Sequence, residues 1–153
     1  MTQYEIIDII FTTTLIKKLW IFRADVNWYE TSIDLERFPD TEITWNSGTW
    51  HDGIWEDGYW DKGKWENGTW MDGTWIVGTW LNGIWKGGTW KNGTWEDGIW
   101  EDGKWVTGTW KNGIWKGGKW NGGYIYNHEI RKYKFSQNNP NECKWSLSYR
   151  RYK

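Results

Sequence analysis

Between Trp45 and Trp120 the large apolar positions recur at every fifth residue, and every one of them is tryptophan. A glycine stands three residues after each, from Gly48 to Gly123, so the segment contains sixteen copies of a W-x-x-G-x unit. A period of five matches neither the 3.6-residue repeat of an amphipathic helix nor the strict alternation of a half-buried strand. A short fixed period of this kind dictates the architecture and is read before any other feature. The residue before the periodic glycine is Asp or Asn at nine sites, Asp52, Asn67 and Asn112 among them, and is itself glycine at three. Such dipeptides suit a type I′ turn, which needs positive φ at two successive residues. The residue after the glycine is Thr at seven sites, Ile at four, Lys at three and Tyr at two, mostly side chains that suit pleated backbone. Each unit therefore reads as a short extended piece, such as Thr69-Trp70-Met71, followed by a tight corner. The fold class predicted is all-β.

Two arrangements satisfy this grammar. In the favoured one, each corner is a hairpin turn and the chain forms a β-hairpin meander that curls on itself. Trp65 then faces Trp70 across two strands, which puts every array tryptophan on one side. "WENGTW" at 65–70 resembles the core of designed tryptophan-zipper hairpins, and "GTWKNG" at 88–93 and 108–113 resembles half of the MORN repeat. That resemblance implies an elongated meander sheet, although the longer MORN unit is missing. The alternative is a four-sided parallel β-solenoid of the pentapeptide-repeat type, with about twenty residues per coil. Against it stands the volume of an indole at the inward position, because overpacking is destabilising. In either arrangement, sixteen indoles at ~200 Å² each hold about 3,200 Å² that gains by leaving water.

The flanks differ in composition, which divides the chain into 1–44, 45–123 and 124–153. Residues 1–44 contain no glycine; "YEIIDIIF" (4–11) and "LWIFRADVNWYE" (19–30) read as strands, with an amphipathic helix as the alternative for the first run up to Trp20, and "TSIDLERFP" (31–39) as a short helix opened by Thr31. In the C-terminal part, "GYIYNHEIRKYKF" (123–135) and "CKWSLSYRRYK" (143–153) read as a hairpin around the loop "SQNNPNE". Both flanks are expected to cap the array against edge-to-edge association. Charge is spread unevenly: residues 1–44 carry eight acids against four bases, and residues 124–153 carry two acids against seven bases. Ends of opposite sign suit head-to-tail pairing. The overall formal charge is only −1, which argues against nucleic acid as partner.

Chemistry is weakly signalled. Cys143 is the sole cysteine, so no internal disulfide forms. "MTQYEIIDII" lacks the basic start of a signal peptide, and no apolar run reaches the roughly 20 residues of a membrane span. The compartment expected is the cytoplasm or a virion, with no membrane association. His51 and His128 have no Cys or His at metal-ligand spacing, and the Glu-Asp pairs at 56–57, 96–97 and 101–102 follow from turn chemistry. No cofactor and no catalytic residue are expected.

Candidate contact residues fall into two groups. Trp50, Trp55, Trp60, Trp65, Trp70, Trp75, Trp80, Trp85, Trp90, Trp95, Trp100, Trp105, Trp110 and Trp115 are the repeat core or, if exposed, a binding face. An exposed tryptophan face would stack on carbohydrate or bases. Arg131, Lys132, Lys134, Arg150 and Arg151 form a candidate basic patch. The array resembles low-complexity Trp/Gly repeats of phage and bacterial proteins, some of them virion or tail components. That resemblance covers residues 45–123 and implies a non-catalytic structural or adhesion scaffold acting through protein partners or self-association. Rival readings are a ligand-binding module for carbohydrate or nucleotide, and an intracellular protein that blocks a partner.

Overall fold

A computed structural model describes residues 18–35 and 43–144. The array is a parallel β-solenoid of about five turns, and it has three sides. Each strand pairs with the strand fifteen residues away, Thr79 with Thr94 and Trp80 with Trp95, rather than with its sequence neighbour. The strands fall on three faces. Face one comprises Thr49–Asp52, Lys64–Trp65, Thr79–Trp80, Thr94–Trp95, Thr109–Trp110 and Gly123–Asn127. Face two comprises Ile54–Trp55, Thr69–Trp70, Ile84–Trp85, Ile99–Trp100 and Ile114–Trp115. Face three comprises Thr44–Ser47, Tyr59–Trp60, Thr74–Trp75, Thr89–Trp90, Lys104–Trp105 and Lys119–Trp120. Successive coils are tied by backbone bonds such as Lys64 N–H to the Gly48 carbonyl (3.0 Å) and Glu66 N–H to the Trp50 carbonyl (2.8 Å).

The all-β repeat expected from the sequence is present, but the favoured MORN-like meander is not, and the solenoid has three sides where four were expected. Two physical reasons account for this. The periodic glycines from Gly48 to Gly118, one every fifth residue, have φ between +96° and +139°, yet Arg131 is the one non-glycine with positive φ among the described residues. The Asn and Asp residues therefore do not make type I′ turns. The corner bends the chain onto the next face instead of reversing it. At several corners the Asp or Asn Oδ1 accepts from the following glycine N–H, as at Asp72–Gly73 (2.8 Å). The second reason is burial. A meander leaves one side of each indole uncovered, whereas in the solenoid Trp45 to Trp105 are 0% exposed and Trp110 and Trp115 nearly so.

Three indoles fill the cross-section. Along each face the indoles stack in parallel, with centroids 4.7 Å apart and planes 5° apart for Trp65 and Trp80. Between faces, consecutive indoles meet edge to face, as Trp65 and Trp70 do at 6.0 Å and 71°. Both are preferred aromatic geometries. With one inward side chain per face, consecutive indoles close edge to face around the axis and are fully buried. The glycines supply the close approach that this requires. A Cβ at Gly68 would lie 2.2 Å from the Gly53 carbonyl oxygen one coil away, and its φ of +123° disfavours any side chain.

The ends are closed by non-repeating elements. "LWIFRADVNWYE", expected as strand, forms two 3-10 turns, Leu19–Arg23 and Trp28–Glu30, around the short strand Asp25–Val26. The turns lay Trp20 edge-on against Trp55 (5.2 Å) and Trp28 against Trp45 (6.3 Å), so packing on the core overrides the β-propensity of this stretch. The helix expected from Thr31 is instead the strand Ser32–Asp34, antiparallel to Thr44–Ser47. Thr31 Oγ1 donates to the Asn27 carbonyl (2.7 Å) in place of capping a helix. The remainder of that stretch, 36–39, and the expected strand 4–11 lie outside the described residues. At the other end the stretch 123–135, expected as one strand, is itself a hairpin, while all but Cys143 and Lys144 of its expected partner 143–153 lies outside the described residues. Gly123–Asn127 extends face one, then turns directly into the antiparallel strand Lys132–Ser136. Asn141 Nδ2 donates to the Trp115 carbonyl (2.6 Å), which ties the following loop to the last coil of face two. Antiparallel strands thus bound face one at both ends and face three at its start, where another coil could otherwise add.

Candidate functional site

The fourteen candidate tryptophans are brought together, but as a core. Their rings are buried, between stacked indoles in mid-column and beneath the cap residues at the ends, so none offers the open face that stacking on a sugar or base requires. The reading of these residues as a binding face is thereby corrected. The indole edges serve structure as well. Nε1 of Trp65, Trp75, Trp90, Trp100 and Trp105 donates to the corner carbonyl seventeen residues on, for example Trp65 to Asn82 at 3.1 Å. Trp80, Trp85 and Trp95 point Nε1 at the neighbouring corner glycines Gly98, Gly103 and Gly113 without closing such a bond.

Chemistry toward other molecules is left to the outward positions, and these form columns with a spacing of fifteen residues. Face one presents Thr49, Lys64, Thr79, Thr94, Thr109 and Tyr124. Beside them runs a second column with ion pairs between adjacent coils. His51 Nδ1 lies 2.8 Å from Glu66 Oε2, and Lys111 Nζ lies 3.4 Å from Glu96 Oε2. The hydrogen bond from His51 holds the Glu66 carboxyl below its ordinary range; the charges of His51 and Lys64 act in the same sense, and desolvation opposes them. Face two presents Ile54, Thr69, Ile84, Ile99 and Ile114, an apolar column broken by one threonine. Ile54 and Ile114 are more than half exposed.

The C-terminal end of face one carries an aromatic cluster that the sequence reading did not single out. Cross-strand partners share a side of the sheet, which sets Tyr124 opposite Phe135 and Tyr126 opposite Tyr133. Tyr124 and Phe135 meet edge to face at 5.6 Å, and Tyr126 lies 4.7 Å from both Tyr133 and His128. Lys111 Nζ sits 5.6 Å from the Tyr126 ring centre. Tyr124, Tyr133 and Phe135 are each about half exposed. The candidate bases divide differently: Arg131 lies in the hairpin turn, while Lys132 and Lys134 oppose Asn127 and Ile125 on the core-facing side of that strand. All three are exposed, and Arg150 and Arg151 lie outside the described residues. Writing the array in rows of fifteen would have disclosed the isoleucine column. The aromatic cluster needed the hairpin register.

His51 and His128 stay in separate surroundings, one on Glu66 and the other with Nε2 2.7 Å from the Lys111 carbonyl. Among the described residues no three His, Cys, Asp or Glu side chains are grouped to hold a metal ion, and no helix is long and apolar enough to cross a membrane. No protein-family model, curated protein or solved structure matches the chain.

Proposed function

We propose that the chain is a non-catalytic assembly scaffold, a rigid three-sided post whose flat faces contact protein. The observation that carries this reading is the continuous indole core. Every bulky repeat residue is spent on internal rigidity, and the outward positions form regular columns rather than a concave pocket of convergent polar groups, the usual form of a small-molecule site. Binding surfaces held rigid lose little entropy on association. The finer reading, a component of a phage virion or tail, rests on the likeness of the Trp/Gly array to repeats in such proteins.

The test is site-specific photo-crosslinking in the native host, with a photoreactive side chain placed outward at Thr94, Ile99 or Thr89, one per face. A scaffold gives a discrete crosslinked protein, or a crosslinked copy of itself, from one face and not the others. An absence of crosslinks from all three faces would refute the reading. The half-exposed cluster Tyr124, Tyr133 and Phe135 favours a second reading, a saccharide platform at the C-terminal cap. Titration with cello-oligosaccharides, followed by chemical-shift changes confined to those rings, tests it.

A further inference from the structure

We infer that face two is a self-complementary interface through which two copies of this chain pair side by side, with their solenoid axes antiparallel. This deepens the scaffold reading and rests on it for its biological purpose, though its physical argument is independent. Three observations converge. One outward column of the array is apolar: Ile54, Ile84, Ile99 and Ile114 lie in register on face two, while the matching columns of the other faces hold Thr, Lys and Tyr. An exposed flat stripe of β-branched residues is a surface to which sheets pack face to face.

The second observation is the order of charge along the margin of that stripe. The residue after each face-two tryptophan is, coil by coil, Glu56, Met71, Lys86, Glu101 and Lys116. A two-fold axis parallel to the strands reverses this order in the facing copy. Glu56 then meets Lys116, the one ionic match, which occurs twice, and Met71 meets Glu101. Lys86 meets its own copy, with a Glu101 of each chain one coil away. The other margin sets Asp52 against Asn112 and Asn67 against Asp97. The parallel arrangement, with the axis along the solenoid, instead sets Glu56 against Asp52 and Glu101 against Asp97. Those acid pairs, each occurring twice, outnumber the single Lys86–Lys86 contact of the antiparallel mode and have no opposite-charge match to offset them, which selects against the parallel mode.

The third observation is axial. Residues 18–35 and 43–74 carry nine acids against four bases, whereas residues 105–144 carry two acids against seven bases. Antiparallel copies set the acidic half of each against the basic half of the other, and parallel copies set like against like. Such a pair is isologous and closes at two copies. Five strands at ~4.8 Å and a side roughly 16 Å wide give about 400 Å² per copy, so the interface lies at the small, transient end of the range. The expected dissociation constant is on the order of 10–100 μM.

Sedimentation equilibrium from about 1 μM to 1 mM tests this. The wild-type chain is expected to move from its 18.5 kDa monomer mass toward twice that value and no further, with association weakened by salt. Ile84→Lys, at the two-fold centre, abolishes association. Glu56→Lys and Lys116→Glu each weaken it at least about fivefold, and the double variant returns to within about threefold of wild type, because the opposed pair is restored with its sign reversed. All three substitutions lie at outward positions of face two, and unchanged tryptophan emission verifies the fold. A wild-type chain that stays monomeric at 1 mM overturns the proposal. So does association that Ile84→Lys leaves intact, or a mass that climbs past the dimer, which marks end-to-end growth. A monomeric result leaves the scaffold reading to the crosslinking experiment, where a foreign protein captured on one face would still support it.

Discussion

Gly87 and Gly88 are chain neighbours with the same side chain, yet the structure assigns them opposite tolerances. Gly88 has φ +96°, and a Cβ there would lie 2.3 Å from the Gly73 carbonyl oxygen and 2.8 Å from the Gly73 nitrogen, both rigid backbone of the adjacent coil. Gly87 lacks the positive φ, and its added Cβ would meet the Met71 carbonyl oxygen at an ordinary 3.4 Å. For Gly88→Ala, the left-handed backbone costs about 1–3 kcal/mol. Relief of the clash must part the two coils where Thr89 N–H donates to the Gly73 carbonyl (2.9 Å), a loss of about 1 kcal/mol. The same movement disturbs the Trp75–Trp90 stack at 4.8 Å, and the expected total is about 3–5 kcal/mol. In a chain of this size that lowers the melting temperature by about 10 °C. Gly87→Ala removes freedom from the unfolded chain at no steric cost and should stabilise by about 0.4–1 kcal/mol, raising the melting temperature by a degree or two. Thermal unfolding of both variants, followed by far-ultraviolet circular dichroism, measures the pair. If Gly88→Ala melts within about 2 °C of the parent, or if Gly87→Ala loses as much as Gly88→Ala, the corner geometry argued above is wrong.

Three further outcomes follow from the core and its margins. Trp80→Ala, in mid-stack and fully buried, should cost about 3–5 kcal/mol or prevent folding, whereas Trp120→Ala, at the partly covered end of its stack, should cost clearly less; denaturant melts of the two variants decide it. Acrylamide quenching of the intact chain should be weak and its emission blue-shifted at every concentration; red-shifted, readily quenched emission would contradict the indole core. Glu66 should titrate below the ordinary carboxylate midpoint of 4.5, and His51→Gln should move it upward, as read by carboxyl chemical shifts against pH. Because the folded-state value is the lower one, whatever stability the contact contributes is present above pH 4.5 and lost as pH falls through the folded midpoint. An unshifted Glu66 midpoint in the His51 variant would show that the contact is not held in solution.

The repeat period by itself determined that this protein is an all-β array with tryptophan as its bulk and glycine as its corner, because no helix or alternating strand places a large residue at every fifth position. It also exposed the change of composition near Trp45 and the atypical ends. What it did not determine is whether Trp65 neighbours Trp70 across a hairpin or Trp80 across a coil. Both pairings obey the same local grammar, and Asn-Gly serves either a reversal or a bend. That choice is tertiary: the coil buries Trp45 to Trp105 completely, with three edge-to-face indoles to each turn. The number of sides then decides which outward residues align. Ile54, Ile84, Ile99 and Ile114 fall into one column at fifteen residues per turn, whereas at twenty Ile84 and Ile99 would each leave the column shared by Ile54 and Ile114. The caps were read least well, since Trp20 and Trp28 are placed by the indole columns they cover, and Tyr124 and Phe135 by a hairpin register that no local signal specified.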